Sequence, residues 1–401
     1  MNLSSGYPFW LIKDGIPFDY EKLEKNISAQ VVILGGGISG ALTAYYLATA
    51  GIDCIVVDSR TIGLGSSCAS TSLLQYEIDE PLSRLKDKLG IKNAVRAYQL
   101  CSLAIDKLKY IADKIKFNEF EYKQSLFYAA FKKDISFLKE EFAIRKENGF
   151  EVNYLSERAI QKKFGFSAPG AILSAQAAQT NAYAFAGALH QYTKKKGVRI
   201  YDRTKIKTVR HYKNVFVLTT ENGYQVKARQ VVYATGYEAL KMIDKKIADL
   251  HSTYATISEQ QNNKVRFWKD ELLLWNTADP YLYMRTTNDK RILVGGRDES
   301  FYDPIKRDKL IKLKSRQLVQ DFNNLFPDIP FKPEFSWTGT FASTKDGLPY
   351  IGNYKKLPGT FFALGFGGNG ITFSQIAAEI IRDAIKDKKN KDAAIFSFER
   401  N

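Results

Sequence analysis

A short apolar run followed directly by a glycine motif constrains the fold of this chain more than any other feature. Residues 30–34 form the largely apolar run, and Gly35-x-Gly37-x-x-Gly40 follows it. A helical pattern over residues 40–50 and a second apolar run at 53–58 complete a βαβ unit. In such a unit the glycines allow a tight turn and let the backbone approach a pyrophosphate at the helix N-terminus. The sequence therefore predicts an α/β fold with a Rossmann-like dinucleotide site.

Asp58 stands at the end of the second predicted strand. A carboxylate at this place can accept hydrogen bonds from the hydroxyl groups of a ribose. We expect Ser59 and Arg60, which follow it, and Ile38 and Ser39, at the start of the helix, to contact the same ligand. The alternative is a glycine-rich turn that binds nothing.

Three further segments are rich in small residues and predict loops that approach a ligand. They are residues 63–72, residues 231–236, which end a strand, and residues 364–371, which lead from a strand into a helix. The last would present bare backbone amides at a helix N-terminus. Each segment alone could also be an ordinary polar loop or a closely packed turn. In the first two segments, the candidate residues for contact with the ligand are Ser66, Ser67, Thr71, Ser72, Ala234, Thr235 and Gly236.

The charge and the metal-binding residue types exclude several classes of protein. The 401 residues include 59 Lys and Arg against 43 Asp and Glu, which gives a net charge of +16. This excess is spread along the chain, as is typical of solvated surface rather than of a dedicated binding face. The three cysteines and three histidines lack the spacing of a disulfide framework, a zinc site or a histidine-based triad. We therefore expect no metal site and no specific nucleic-acid partner.

Two long uncharged stretches, residues 26–52 and 357–378, are interrupted by glycine clusters. Buried strand–turn–helix units explain them better than membrane spans do. Residues 1–25 carry four acidic side chains and lack the apolar region of a signal peptide. We expect no membrane span and a cytoplasmic location.

Taken in order, these segments make the sequence recognisable. It resembles the D-amino-acid-oxidase-like family of FAD-dependent oxidoreductases, which includes glycine oxidases and sarcosine oxidases. The resemblance runs from about residue 30 to residue 385. It rests on the glycine motif with Asp58, the serine-rich loop at 63–72, residues 234–236, residues 344–352 and the turn at 365–372.

The resemblance implies a discontinuous fold. A Rossmann-like FAD-binding domain would comprise residues 27–80, 150–245 and 340–395. A substrate domain with a mixed or antiparallel sheet and an inserted helical segment would comprise residues 82–149 and 251–335 and would cap the flavin.

The resemblance also implies roles for single residues. Gly35, Gly37 and Gly40 would hold the pyrophosphate. Asp58 would bind the adenosine ribose, and Ile206 would touch the adenine through its backbone. The serine-rich loop would lie along the flavin. At the pyrimidine edge of the flavin, where a helix N-terminus stabilises negative charge, would lie Gly367, Gly368, Asn369, Gly370, Ile371 and Thr372.

The sequence departs from the family pattern at three places. Phe341 stands where glycine and D-amino-acid oxidases have the arginine that grips the substrate carboxylate, and a ring cannot replace paired charge-assisted hydrogen bonds. Residues 337–343 lack the cysteine by which sarcosine oxidases attach flavin, so we expect non-covalent FAD. Leu293 stands near the position of a lysine that promotes reaction with oxygen, which favours a dehydrogenase over a fast oxidase.

Substrate contacts are predicted on the strand at residues 281–285. Alternation puts Tyr281, Tyr283 and Arg285 on one face of it. Tyr283 and Arg285 are candidates for binding a polar or anionic part of the substrate, and Phe341 and Gln75 are further candidates. The alternative for the strand is a cross-strand aromatic with a surface arginine. No catalytic residue is assigned.

The reaction implied by the resemblance is hydride transfer from the carbon of a C–N bond to flavin N5. The substrate would be a small amine or amino-acid-like molecule, and the electron acceptor oxygen or a carrier. One alternative is an FAD-dependent RNA-modifying enzyme, which the basic charge would suit. The other is an NAD-dependent dehydrogenase that uses the same glycine motif.

Overall fold

The structure is a computed structural model that describes residues 1–364 and 366–400. This part of the chain folds around a ten-stranded and an eight-stranded sheet. The strands are β1 (Ser4–Gly6), β2 (Ile27–Leu34), β3 (Cys54–Val57), β4 (Leu73–Gln75), β5 (Phe120–Tyr128), β6 (Val152–Ser156), β7 (Gly170–Thr180), β8 (Arg199–Tyr201), β9 (Ile206–Tyr212), β10 (Val215–Thr220), β11 (Gln225–Tyr233), β12 (Ala248–Ser258), β13 (Leu273–Asn276), β14 (Tyr283–Thr286), β15 (Ile292–Glu299), β16 (Pro333–Thr344), β17 (Tyr350–Asn353) and β18 (Thr360–Leu364). The α-helices are α1 (Phe9–Asp14), α2 (Ile38–Thr49), α3 (Leu82–Leu89), α4 (Ile91–Lys114), α5 (Ile135–Glu147), α6 (Glu157–Phe164), α7 (Ala182–Lys194), α8 (Pro304–Lys309), α9 (Ile311–Leu325) and α10 (Gly370–Ile385).

The eight-stranded sheet contains the βαβ unit predicted from the glycine motif, and that prediction is confirmed. β2 pairs in parallel with β3 on one side and with β11 on the other, and α2 connects β2 to β3. All of β3 and the last half of β2 are buried, as expected of parallel strands covered on both faces. Because the strands are parallel, the carboxyl ends of β2, β3 and β11 lie at the same edge of the sheet.

Alternate residues of β2 divide between two cores. Val31 and Ile33 pack in a large core with apolar residues of α2, α4, α7 and α10. Val32 and Leu34 face a second core built on β10, β11 and β18. None of the helices in the described part of the chain combines the length and the apolarity needed to cross a bilayer.

The ten-stranded sheet has the order β1-β16-β12-β15-β14-β13-β5-β7-β4, with β6 paired to β7. β13 and β5 run parallel, and the other neighbours named here run antiparallel. β12 and β16 pair from Ala248 opposite Thr344 to Ser258 opposite Pro333. Leu318 and Phe322 of α9 pack in the core on this sheet. The predicted combination of a Rossmann-like unit with a mixed sheet is confirmed.

The strand pairing departs from the predicted domain boundaries at β4, β6, β7 and the end of β16. The sequence assigns residues 150–245 to the FAD-binding domain, but β6 and β7 hydrogen bond within the ten-stranded sheet. β7 pairs with β5, which begins about fifty residues earlier and is separated from it by α5 and α6. A local sequence pattern cannot reveal a pairing over this distance. The division into domains stays a prediction.

The segment before the glycine motif completes the ten-stranded sheet. β1 pairs with β16, and α1 places Phe9 and Trp10 in a small core with Leu293 and Trp337. The indole N–H of Trp10 donates to the carbonyl of Ser70 at 2.6 Å. This segment therefore supports the serine-rich loop.

Three buried charged side chains connect α5 with the segment around α3. Arg145 donates from Nε to Oε1 of Glu141 at 2.6 Å, and its Nη1 lies 3.5 Å from Oε1 of Glu77. Glu141 also accepts hydrogen bonds from the backbone N–H groups of Leu82 and Ser83, at 3.1 and 2.8 Å. Burial raises the pKa of Glu77, and Arg145 offsets this only in part. Burial also acts to raise the pKa of Glu141, but Arg145 and the Ser83 N–H bring it below its ordinary value.

Candidate functional site

A cavity of about 640 Å³ lies between the two sheets. Its wall comes from the carboxyl ends of β2, β3 and β11, the serine-rich loop, strands β12 to β16 and the start of α10. The structure thus brings together segments from both halves of the sequence. The candidate cofactor residues in this wall are Gly35, Gly37, Ile38, Ser39, Asp58, Ser59, Arg60, Ser66, Ser67, Thr71, Ser72, Ile206, Ala234, Thr235, Gly236, Gly367, Gly368, Asn369, Gly370 and Ile371.

The turn between β2 and α2 is too tight for any residue but glycine at position 35. Gly35 has a φ of 102°, and a Cβ there would overlap the carbonyl oxygen of Ala234. Gly37 faces the cavity just before α2, and a Cβ there would come to 2.8 Å from Oγ of Ser67. Bare backbone therefore lies at the N-terminus of α2, where amide groups can meet a pyrophosphate.

Two residues predicted to contact the cofactor are not in the cavity wall. A Cβ at Gly40 would overlap the carbonyl oxygen of Gly35, so this glycine lets α2 pack on the turn from behind. Thr372 is buried in the first turn of α10, and its hydroxyl donates to the carbonyl of Asn369 at 2.9 Å. Gly365, which belongs to the predicted C-terminal turn, lies outside the described residues.

Asp58 is oriented by two backbone groups. Its Oδ2 accepts the N–H of Gly36 at 2.6 Å, and its Oδ1 accepts the N–H of Arg60 at 2.8 Å. Burial raises the pKa of this carboxyl, and the two N–H groups act against that effect. Each oxygen keeps a lone pair for a ribose hydroxyl. Nη2 of Arg60 forms an ion pair with Oε1 of Glu238 at 2.7 Å, and both side chains line this end of the cavity.

His190 on α7 supports the same turn from below. Its Nε2 lies 3.0 Å from the carbonyl oxygen of Gly36 and must carry the proton of that hydrogen bond. Burial lowers the pKa of His190 to about 4, so the ring is neutral at physiological pH. This histidine has a structural role beneath the cofactor wall.

The serine-rich loop connects the turn to the rest of the cavity. Oγ of Ser67 accepts the N–H of Ile38 at 2.9 Å and so caps the start of α2. Ser72 has a φ of 58°, and its Oγ accepts the N–H of Ala182 at 3.2 Å, which ties the loop to α7. Ser66 and Thr71 line the cavity between these two anchors.

The C-terminal turn brings a second helix N-terminus to the cavity. A short 3₁₀ segment, Gly367–Asn369, leads into α10, and the first residues of α10 line the wall. The side chain of Asn369 donates to the carbonyls of Gln75 and Glu77, at 3.0 and 2.8 Å. The positive end of the helix dipole is therefore held against the cavity.

Three of the four substrate candidates lie at this end of the cavity. Tyr283 lines the wall, with its ring over Gly295, where a Cβ would overlap the ring. Phe341 lines the wall and stacks on His251, with ring centroids 5.2 Å apart. The amide of Gln75, also in the wall, donates to Oγ of Ser125 at 3.0 Å.

Arg285, the fourth candidate, is not in the wall. Its guanidinium is buried and donates to the carbonyls of Thr71, Ser72 and Thr180, at 3.3, 2.9 and 2.8 Å. It also lies 5.4 Å from the centre of the Trp10 ring. Arg285 thus holds the serine-rich loop in place, which differs from the expected contact with substrate. The difference arises from tertiary structure, because the serine-rich loop and α1 cover the strand where Arg285 lies. The alternation of side chains along one strand does not reveal such a cover.

Sequence reasoning missed two aspartates that lie in the wall near Tyr281 and Tyr283. Asp79, between β4 and α3, accepts the N–H of Gly368 at 2.7 Å and the hydroxyl of Tyr281 at 3.2 Å. Asp298, on β15, lines the cavity as well, and burial raises its pKa to about 7. A single aspartate on a loop or strand has no sequence signal that separates it from a surface residue.

The residues present fit a dinucleotide with two unlike ends. At one end Asp58 can hold a ribose and Ile206 borders the space for a base. In the middle of the cavity, the backbone N–H groups at the N-terminus of α2 can bind a pyrophosphate. At the far end α10 presents a positive dipole beside the rings of Trp275 and Tyr283, which suits a flat ring that gains negative charge.

Residues 30–384 match the family described as FAD dependent oxidoreductase. Among curated proteins the chain is 24% identical to gamma-glutamylputrescine oxidoreductase of Escherichia coli, over 94% of this chain and 88% of that protein. It is also 24% identical to glycine oxidase of Geobacillus kaustophilus, over 92% of this chain and 97% of that protein.

Solved structures show the same fold. The crystal structure of the Geobacillus kaustophilus glycine oxidase superposes with a TM-score of 0.77 at 20% identity, covering 93% of this chain and 99% of that one. L-proline dehydrogenase from P. horikoshii superposes with a TM-score of 0.76 at 19% identity, covering 94% and 97%. The family match favours FAD over NAD as the dinucleotide. From the cavity, the fold and the match over most of its length, we conclude that this chain belongs to the family of FAD-dependent oxidoreductases.

Proposed function

We propose that this enzyme oxidises a C–N bond of a small amine or amino-acid-like molecule by hydride transfer from carbon to flavin N5. One observation carries the proposal: the cofactor wall and the rings of Trp275, Tyr281 and Tyr283 enclose one continuous cavity. A small molecule held against these rings would lie beside the start of α10, where the flavin ring is expected. The relatives named above, one acting on a putrescine derivative and one on glycine, support a nitrogen-containing substrate.

The chain contributes binding, orientation and electrostatics. Bound flavin would supply the hydride acceptor. Backbone N–H groups at the start of α10 would stabilise negative charge at that end of the cavity. Among the described residues no histidine lines the cavity, so the substrate amine would have to enter in its neutral form or give its proton to a carboxylate. Water would then hydrolyse the imine product.

The composition of the wall supports a dehydrogenase rather than a fast oxidase. Leu293, near the position of the oxygen-activating lysine in sarcosine oxidases, is buried in the small core around Trp10. Among the described residues, Lys205 is the single lysine in the wall, and it follows Thr204 at the adenosine end. A positive charge that promotes the reaction with oxygen is thus not provided beside the substrate.

We also propose that the FAD is bound without a covalent link. The three cysteines, Cys54, Cys68 and Cys101, are buried, and none of them is among the described residues of the wall. Burial raises the pKa of the Cys68 thiol to about 11, which keeps it in the unreactive protonated form.

The visible spectrum of the purified protein tests the cofactor and the reaction together. We expect the bands of oxidised flavin, release of the chromophore on denaturation, and anaerobic bleaching by a member of a panel of small amines. Reduced enzyme should be reoxidised faster by an artificial dye than by air. Glycine and D-alanine should bleach the flavin poorly, because Phe341 replaces the carboxylate-binding arginine.

Three outcomes would count against parts of this proposal. Flavin that stays with the denatured protein would refute non-covalent binding. Fast reoxidation by air would refute the dehydrogenase assignment. Bleaching by alcohols or hydroxy acids but by no amine would refute oxidation of a C–N bond.

A further inference from the structure

The substrate end of the cavity carries two aspartates that lack a basic partner. Asp79 is hydrogen bonded to a backbone N–H and to the hydroxyl of Tyr281, and neither group is charged. Oδ1 of Asp298 is shielded from solvent and has no hydrogen-bond partner among the described residues. The nearby ammonium of Lys314 forms an ion pair with Glu299 instead. This end of the cavity therefore carries two carboxyl groups that no basic side chain among the described residues neutralises.

Aromatic rings form the wall beside these carboxylates. The rings of Trp275 and Tyr281 lie 6.2 Å apart, and those of Tyr281 and Tyr283 lie 5.7 Å apart. Trp275 is fixed from behind by stacking on Phe127, with centroids 3.8 Å apart. The faces of such rings attract cations, and trimethylated or otherwise substituted ammonium groups in particular.

Among the described residues, no basic side chain lines this side of the cavity. Arg285, the one arginine expected there, is occupied by the carbonyls of Thr71, Ser72 and Thr180. Phe341, at the position of the carboxylate clamp, stacks on His251. A substrate carboxylate would meet two carboxylates and no cation.

We propose that the substrate is a cationic amine without a carboxylate, and that Asp298 and Asp79 hold its positively charged group against the rings of Trp275, Tyr281 and Tyr283. The inference rests on the proposed function for the location of the substrate. A bound cation would also supply the partner that Asp298 lacks and lower its raised pKa.

Three probes of nearly equal shape separate charge from size. Choline carries a trimethylammonium group, 3,3-dimethyl-1-butanol is its uncharged analogue, and glycine betaine adds a carboxylate. Binding to the oxidised, FAD-loaded enzyme is followed by the change in the visible flavin spectrum and by calorimetry. We expect choline to bind at least about tenfold more tightly than either of the other two. The reason is that its desolvated cation is attracted both by the faces of the rings and by the carboxylates.

Variants then locate the binding. Asp298→Asn and Asp79→Asn should each weaken choline binding about tenfold or more and leave the uncharged analogue unchanged. The matched control is Asp279→Asn, which removes an exposed nearby carboxylate that is not in the described wall. It should change the choline affinity less than twofold. A flavin spectrum like that of the wild type shows that each variant is folded and loaded.

The outcomes separate this inference from the proposed function. Equal binding of choline and its uncharged analogue to the wild type, or choline binding that is unaffected in both aspartate variants, would overturn the inference. Either result is compatible with flavin bleaching by other amines. Conversely, binding that depends on charge and on Asp298, with no amine able to bleach the flavin, would support the cation site and refute the proposed reaction.

Discussion

The charge of Asp298 depends on side chains from four separate parts of the chain. Burial is the largest cause of its raised pKa, and Asp79 and Asp279 raise it further. A hydrogen bond with Thr253 on β12 and the ammonium of Lys314 on α9 act in the opposite direction. The result is a carboxyl that titrates at about pH 7, where small changes of environment change its protonation.

This carboxyl should make the stability of the substrate-free enzyme depend on pH. A carboxyl of Asp has a pKa of about 3.9 in an unfolded chain, against about 7 for Asp298 in the folded one. Between these values the folded protein holds a proton that the unfolded chain releases, so stability falls as pH rises through this window. Asp298→Asn removes the effect. We expect the Tm difference between this variant and the wild type to shift in favour of the variant from pH 5 to pH 8.

Calorimetry of the FAD-loaded proteins without amine provides the measurement. The control variant Asp279→Asn removes only a minor contribution to the raised pKa of Asp298, so its Tm difference from the wild type should change much less between the two pH values. An Asp298→Asn variant whose Tm difference is constant would show that Asp298 is ionised throughout this range.

At the scale of elements, the sequence predicts those helices and strands that have a local pattern better than it predicts which distant strands pair. The local pattern was sufficient to predict α2, β3 and β18, because each is a continuous run of characteristic residues next to a turn signal. It was not sufficient for β7, whose partners β5 and β4 lie far along the chain. The same limit applies to the site. Glycines of the cofactor turns are visible in the sequence, whereas the place of Arg285 depends on the loop that covers it.

The buried charges around α5 predict a large loss of stability from one substitution. Arg145→Met leaves Glu77 and Glu141 buried without their cation, and we expect the free energy of unfolding to fall by about 3–5 kcal/mol. Urea unfolding of the FAD-loaded protein, followed by far-UV circular dichroism, measures this change. The control is Lys86→Met, which removes an exposed ion pair with Glu140 and should cost less than about 1 kcal/mol. Similar losses for both variants would contradict the assignment of the buried cluster as a structural link.

For the whole molecule, the cavity between the sheets makes the cofactor part of the structure. Both sheets contribute to the wall, so a ligand that spans it stabilises them together. The part of the wall around Asp58, where the adenosine is expected, is separate from the part around α10, where the flavin is expected. Neither half of FAD alone would touch both parts.

We therefore expect FAD to stabilise the apoprotein more than its halves do. At about one hundred times its Kd, a ligand of the folded state adds about 2.7 kcal/mol to the free energy of unfolding. At equal concentration, FMN and AMP should each raise the Tm less than FAD. Differential scanning calorimetry of apoprotein with each ligand measures this. An FMN shift equal to that of FAD would show that the Asp58 end contributes nothing to binding.

The wall of the cavity also determines when the enzyme can acquire its cofactor during its synthesis. Its described residues run from Met1, before the glycine motif, to Ile371 in α10. Nascent chains form their N-terminal parts first, so the βαβ unit is made well before the opposite wall is translated. FAD can therefore meet its complete site only after the residues up to Ile371 have been translated.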